Sequence, residues 1–268
     1  MTSSDSPTLA VITGGSRGIG LGIAKSLVQK HDILILSRTE PVADSVEELK
    51  RVRPEAKIEY VVGVDCVETQ KALDATFERI DAVFADHKLT VFVHNAGLYL
   101  PGQQEFHKLG IDSSEGSEAA LYYQNLYGMF FAQAIERCSK RMDKTGRIIG
   151  ISSPGCNVNS PPRPGYLLPG SGKVLMEYYM RQYARTLAPK GITVNVVVPG
   201  HVLTSAWGPA FKNGKEGLLE WIKQRSPMGR PIEVEEVANT VAFLSSLESS
   251  AITGQAILCD GGLSNFTA

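Results

Sequence analysis

The chain of 268 residues has no surplus of charge. Lys and Arg total 27 against 28 Asp and Glu, a net charge of -1. A general phosphate-backbone binder shows a basic excess, so nucleic acid is not an expected partner. Apolar runs are short. None approaches the about 20 residues that cross a bilayer, and Met1–Thr8 lacks the basic-then-apolar pattern of a secretory leader, so no membrane association is expected. Cysteine is scarce: Cys66, Cys138, Cys156 and Cys259 form no C-x-x-C pair. This spacing offers neither a redox pair nor a metal site, and points to free thiols in a reducing compartment, the cytoplasm. Repeats and low-complexity tracts are absent. With 43% hydrophobic and 21% charged residues the composition is that of a folded globular chain. Glycine, at 26 residues, is the one abundant type that asks for an explanation.

Short apolar runs alternate with segments of helical period. Leu9–Ile12, Ile33–Leu36, Ile58–Val64, Thr90–Val93, Arg147–Ile151, Thr193–Val198 and Gln255–Cys259 read as strands. Helices are expected over Ile19–Lys30, Val42–Arg53, Glu68–His87, Ser117–Met142, Ser171–Leu187 and Glu233–Ser245. Residues 98–116 read as an irregular insertion. Residues 154–170, with five prolines and three glycines, read as an irregular substrate loop, and residues 207–227 as a lid. Strand–helix alternation with continuously apolar strands implies an α/β fold. We expect a single doubly wound domain over 1–268, with a central parallel sheet of about seven strands.

Thr13-Gly14-Gly15-Ser16-Arg17-Gly18-Ile19-Gly20 falls between the first strand and the first helix. Gly14 permits the tight turn, while Gly18 and Gly20 let backbone approach a pyrophosphate. The helix start offers unpaired N–H groups and a partial positive charge. Where an NAD site places an acid after the second strand, this chain has Ser37-Arg38-Thr39, and Arg17 lies inside the loop. Two guanidinium groups suit a 2′-phosphate, so NADP(H) is the expected cofactor.

This arrangement resembles the short-chain dehydrogenase/reductase family, a Rossmann-fold family, and the resemblance runs along nearly the whole chain. It continues at Asp65, at His94-Asn95-Ala96-Gly97, at Asn125, at Ile151-Ser152-Ser153, at Lys173, at Pro199-Gly200 with Val202 and Thr204, and at Asp260-Gly261-Gly262. The resemblance implies that Asp65 faces the adenine, that Asn95, Ala96 and Gly97 line the cofactor, and that Thr204 contacts the nicotinamide amide. It implies an Asn–Ser–Tyr–Lys catalytic set, in which Tyr is the acid and stands four residues before Lys. It also implies a homodimer or homotetramer, and the stripe Tyr178, Tyr179, Met180, Tyr183 fits an interface as readily as a core.

Asn125, Ser153 and Lys173 match that set. Lys173 lies 26 residues before Pro199, the family spacing, but four residues before it stands Pro169, which holds no proton. Tyr166, 13 residues after Ser153 and seven before Lys173, is the nearest phenol: a working acid or a pocket wall. Reduction of an iminium ion needs no acid, so the missing Tyr shifts the expectation from ketones towards an iminium or another activated double bond. Pro162-Arg163-Pro164-Gly165-Tyr166 is similar to the Pro-Asp-Pro-Gly-Trp stretch of fungal short-chain-reductase relatives that reduce an iminium with NADPH and act as Diels–Alderases in alkaloid biosynthesis. Arg163 replaces their acid and suits a carboxylate or carbonyl oxygen of the substrate instead. Leu98, Tyr99, Leu100, Tyr166, Leu167, Leu168, Trp207, Phe211 and Trp221 imply a bulky apolar small-molecule substrate. The alternatives are a cyclase or isomerase that keeps NADP as a wall, an ordinary carbonyl reductase using Tyr166, and a dinucleotide-binding sensor.

Overall fold

Seven runs of apolar, largely β-branched sequence can satisfy their backbones only by pairing with one another. In the computed structural model, which describes residues 6–40, 43–97, 111–156, 159–162, 165–204 and 214–265, they do so. The strands are β1 (Thr8–Thr13), β2 (Asp32–Ser37), β3 (Ile58–Val62), β4 (Lys88–His94), β5 (Arg147–Ile151), β6 (Thr193–Pro199) and β7 (Ala256–Cys259). All lie in one parallel sheet of order β3-β2-β1-β4-β5-β6-β7, and each end falls within about two residues of its expected place.

Alternation along each strand separates two cores. Leu9 and Val11 of β1 share a layer with Phe77, Phe130, Ile135 and Met176. Ala10 and Ile12 share the other with Ile23, Leu27, Val237 and Val241. The helices are α1 (Gly18–Leu27), α2 (Ala43–Val52), α3 (Thr69–Val83), α4 (Ser114–Tyr123), α5 (Phe130–Ser139), α6 (Leu167–Leu187), α7 (Gly214–Arg225) and α8 (Val234–Leu244). β1 sits between β2 and β4, so the winding direction reverses there. The loops leaving β1 and β4 diverge, and a crevice opens at their carboxyl ends.

Three expectations are corrected. The helix expected from Ser171 begins four residues earlier, at Leu167, so residues 167–170 are regular. Pro169 is tolerated because the N–H groups of a first helical turn have no intrahelical partner to lose. Gly170 N–H makes the first such bond, to Tyr166 O at 2.8 Å. The helix expected over 117–142 begins at Ser114, capped by Ser113 Oγ accepting from Gly116 N–H at 3.0 Å. It is broken by a π-turn over Gln124–Met129. Within the expected lid, residues 214–225 form α7. Leu98–Leu100, Asn157, Val158, Arg163, Pro164, Trp207 and Phe211 lie outside the described residues.

Candidate active site

The loop after β1 follows from its glycines. Gly14 has φ +66°, and a side chain there would press on Ala96 Cα at 3.0 Å. At Gly20 a Cβ would lie 2.1 Å from Gly14 O and 2.5 Å from Asn95 Nδ2, so only glycine lets α1 start this close to the turn. Asn95 Nδ2 donates to Thr13 O at 3.3 Å and Gly14 O at 3.0 Å, tying the end of β4 to the loop. Thr13 Oγ1 accepts from the backbone N–H of Asn95 and Ala96 at 3.0 and 2.9 Å. Arg17 is the N-cap of α1 in extended conformation. No side chain caps the helix, and its first turn holds no acidic residue. Its leading N–H groups and dipole are therefore available to an anion.

Around this point runs a cleft lined by Gly14, Ser16, Arg17, Gly18, Ile19, Ser37, Arg38, Asp65, Asn95, Ala96, Gly97 and Thr204, all expected from the sequence. Leu36, Val64, Cys66, Tyr122 and Leu126 line it as well and were not expected. Tyr122 is the informative addition. Arg38 lies within hydrogen-bonding reach of its hydroxyl, while burial, and then the Asp65 charge, push that phenol above its ordinary range. The donor set fits a dinucleotide: an open helix start and glycine cradle for pyrophosphate, with two arginines and a carboxylate at the β2–β3 end. Thr39 is exposed, and its carbonyl accepts from Ser37 Oγ at 2.6 Å. Pro199 ends β6 and Gly200 packs on the Asp260 backbone, where a Cβ would meet Cα at 2.8 Å. Val202 is buried and bridges Ile232.

A second group gathers at the carboxyl ends of β4 and β5. Lys173 is 6% exposed in the second turn of α6. Its Nζ donates to Ile151 O at 2.5 Å and stands 3.7 Å from the Tyr127 ring centroid. Burial lowers its pKa from the ordinary lysine value to about 7, opposed by Cys156 and Glu177. Ser153 is half-buried two residues beyond Ile151, and Asn125 is half-buried in the π-turn. Pro169 is buried on the same helical face as Lys173, one turn earlier. Tyr166 is the N-cap of α6 and half-buried. Its ring edge lies over Gly170, where a Cβ would be 3.2 Å from Cδ1. Arg163 lies outside the described residues. Leu168 and Met180 are buried in the core, and Trp221 of α7 meets the His201 ring at 4.8 Å. Among the described residues, no group of three or more His, Cys, Asp or Glu is placed to hold a metal, and no helix is long and apolar enough to cross a membrane.

His94 stands where the family motif has asparagine, and its role was not legible from spacing. Its Nε2–H donates to Leu126 O at 3.0 Å, while Nδ1 accepts from Thr13 Oγ1–H at 2.9 Å. Burial, then the Lys173 charge, lower its pKa to about 3. A neutral imidazole thus joins β1, β4 and the π-turn. In that turn Phe130 N–H reaches Asn125 O, five residues back, and Tyr127 O, while Leu126 O accepts from His94.

The comparisons with known proteins agree with this geometry. Residues 14–264 match the family described as enoyl-(acyl carrier protein) reductase. The chain is 30% identical over 264 residues to 1-cyclohexenylcarbonyl-CoA reductase of Streptomyces collinus, covering 98% of this chain and 89% of that one. It is 29% identical to L-2,3-butanediol dehydrogenase of Corynebacterium glutamicum, covering 95% and 98%. Among solved structures, YwfH, an NADPH-dependent reductase of bacilysin biosynthesis, superposes with a TM-score of 0.80 at 28% identity, covering 98% of this chain and 100% of that one. A glycine cradle at the β1–β4 switch point, a buried lysine from α6 and a match along the whole sheet admit one placement: the chain belongs to the short-chain dehydrogenase/reductase family and is a nicotinamide-dependent oxidoreductase.

Proposed function

We propose that this protein is an NADP(H)-dependent reductase of a bulky apolar substrate. Its target is an activated double bond: an iminium, which hydride alone neutralises, or an alkene conjugated to a carbonyl, whose enolate takes its proton from water in place of a phenol. The observation that carries this reading is Pro169, which occupies the helical position one turn before Lys173 and has no proton to give. Two names support it: the matched family is described as an enoyl reductase, and the Streptomyces relative as a cyclohexenylcarbonyl thioester reductase. The cofactor, when bound, supplies the hydride. Ser153 and Asn125 orient the acceptor, and Lys173 holds positive charge beside the ribose. Outer faces of α4 and α6 expose Leu121, Val174 and Tyr178, which supports a homo-oligomer.

Purified protein with NADPH is expected to reduce a cyclic iminium or an α,β-unsaturated thioester faster than the corresponding ketone, and Tyr166→Phe is expected to leave that rate within about threefold. A second reading, carbonyl reduction with Tyr166 as acid, is favoured by the Tyr166 ring lying across Gly170 on the Lys173 face. Preference for the ketone together with loss of activity in Tyr166→Phe would establish it. Product formed without NADPH oxidation would instead mean a cyclase.

Arg17 and Arg38 give the cofactor preference a separate check. Each contact of a guanidinium with a 2′-phosphate is a charge-assisted hydrogen bond worth about 1.5–3 kcal/mol. Arg38→Ala is therefore expected to weaken NADPH about 10- to 100-fold in a fluorescence titration and to leave NADH nearly unchanged. Equal weakening of both, or tighter NADH binding in the wild type, would refute the NADP(H) assignment.

A further inference from the structure

We propose that Tyr127 is a positioning residue for Lys173: the face of its ring, supplied by the π-turn, takes the place of the phenol that Pro169 removes and holds the lysine ammonium at the active site. The inference rests on the reductase reading only for its consequence in turnover; its geometry is independent of the reaction.

An ammonium withdrawn from water needs compensation for each donor. Lys173 Nζ donates to Ile151 O at 2.5 Å, and on another side it meets the Tyr127 ring at 3.7 Å from the centroid. That places it well within the range in which a ring quadrupole attracts a cation. The contact is built by small residues on both partners. A Cβ at Gly172, the neighbour of Lys173, would lie 2.2 Å from Tyr123 O and 3.0 Å from Tyr127 Cδ2. A Cβ at Gly128, the neighbour of Tyr127, would lie 2.6 Å from Leu175 Cγ. Two glycines thus let α6 and the π-turn approach at the one level where lysine and ring face each other. Tyr123 stacks on Tyr127 at 6.0 Å and 10°, fixing the plane of the ring. The other end of the ring reaches the cofactor cleft: Tyr127 Oη is 3.6 Å from a Cβ position on Gly97, which lines it.

The titratable groups around Lys173 are few. Glu177 lies one turn on in α6 and is bonded to Ser152 Oγ. Cys156 follows β5, His94 ends β4 as a neutral ring, and Tyr123 and Tyr127 come from α4 and the π-turn. Burial pushes the lysine towards neutrality, and Cys156 and Glu177 oppose it; the Tyr127 ring face, 3.7 Å away on the π-turn, adds a further group that favours the cation.

The test reads the lysine itself in the ligand-free protein, by 13C NMR of labelled lysine Cε against pH, with Lys173→Met to assign the signal. Tyr127→Phe keeps the ring face and is expected to leave the midpoint within about 0.3 unit, whereas Tyr127→Leu is expected to lower it by about one unit, the tenfold change that loss of a desolvated cation–π contact brings. Should Tyr127→Leu not fold, fluorinated phenylalanines at 127 retain the shape and withdraw electron density from the face. The midpoint is then expected to fall stepwise with fluorine number. The basic limb of the kcat/KM profile is expected to move with it. An unmoved midpoint in Tyr127→Leu or across the fluorinated series, or a shift in Tyr127→Phe as large as in Tyr127→Leu, overturns the proposal. Because the NMR midpoint needs neither cofactor nor substrate, a protein that responds as expected but never oxidises NADPH refutes the proposed reduction and not this assignment.

Discussion

Gly20→Ala is expected to abolish dinucleotide binding, raising the NADPH Kd at least about 100-fold in a fluorescence or calorimetric titration. The added methyl would lie 2.1 Å from Gly14 O, 2.9 Å from Gly14 C and 2.5 Å from Asn95 Nδ2. The first two are backbone atoms of the phosphate turn. The third belongs to a side chain already bonded to Thr13 O and Gly14 O. None can retreat without opening the loop, so the cost, about 1–3 kcal/mol or more for overpacking, falls on the geometry that meets the pyrophosphate. Gly22→Ala is the control. Its methyl would meet Val234 Cγ1 at 2.2 Å, the end of a side chain on α8 that can shift, and binding is expected to survive with a lower Tm. Equal effects of the two substitutions would show that glycine acts through helix packing and not through the cradle.

Lys173→Met is expected to cut turnover about 10²–10⁴-fold, the range for a positioned group with a role in proton or charge transfer, while leaving the protein as stable or more so near neutral pH. Methionine keeps the volume and removes a buried cation. The pH dependence has a definite sign. The native lysine titrates near 7 and the unfolded one near its ordinary 10.5. Between those values the unfolded chain binds the extra proton, so the stability of the wild type rises with pH relative to Lys173→Met. It falls back as pH drops from about 10.5 to about 7, by at most about 1.4 kcal/mol per unit. Below about 7 both states are protonated and the difference is constant. Denaturant unfolding of both proteins from pH 6 to 10 measures this. A constant difference across that window would mean that Lys173 keeps an ordinary pKa, and with it a hydrated ammonium.

Much of the fold and of the cofactor cleft is legible in the amino-acid sequence. Continuous apolar strands can only be the interior of a parallel sheet covered on both faces. The phosphate cradle is local, its turn, helix start and glycines lying within Thr13–Gly20, and Lys173 was placed by its spacing to Pro199. Pro169 lies inside α6, although five prolines across residues 154–170 exclude regular structure on sequence alone, because proline breaks a helix only where its N–H would have had a partner. His94 and Tyr127 escaped. A histidine at the end of a strand and a tyrosine inside a long amphipathic pattern carry no mark of function, and each acquires one only from partners far along the chain: Thr13 and Leu126 for the first, Lys173 for the second.

The amino-acid sequence alone therefore determined the sheet, the switch point and the cofactor cradle, since these follow from side-chain periodicity and short-range backbone geometry. Only the tertiary structure decided what faces the lysine. That depends on two glycines, Gly128 and Gly172, setting the distance between α6 and the π-turn. It depends also on the π-turn, whose Leu126 carbonyl accepts from His94 and whose Tyr127 ring stands against the ammonium.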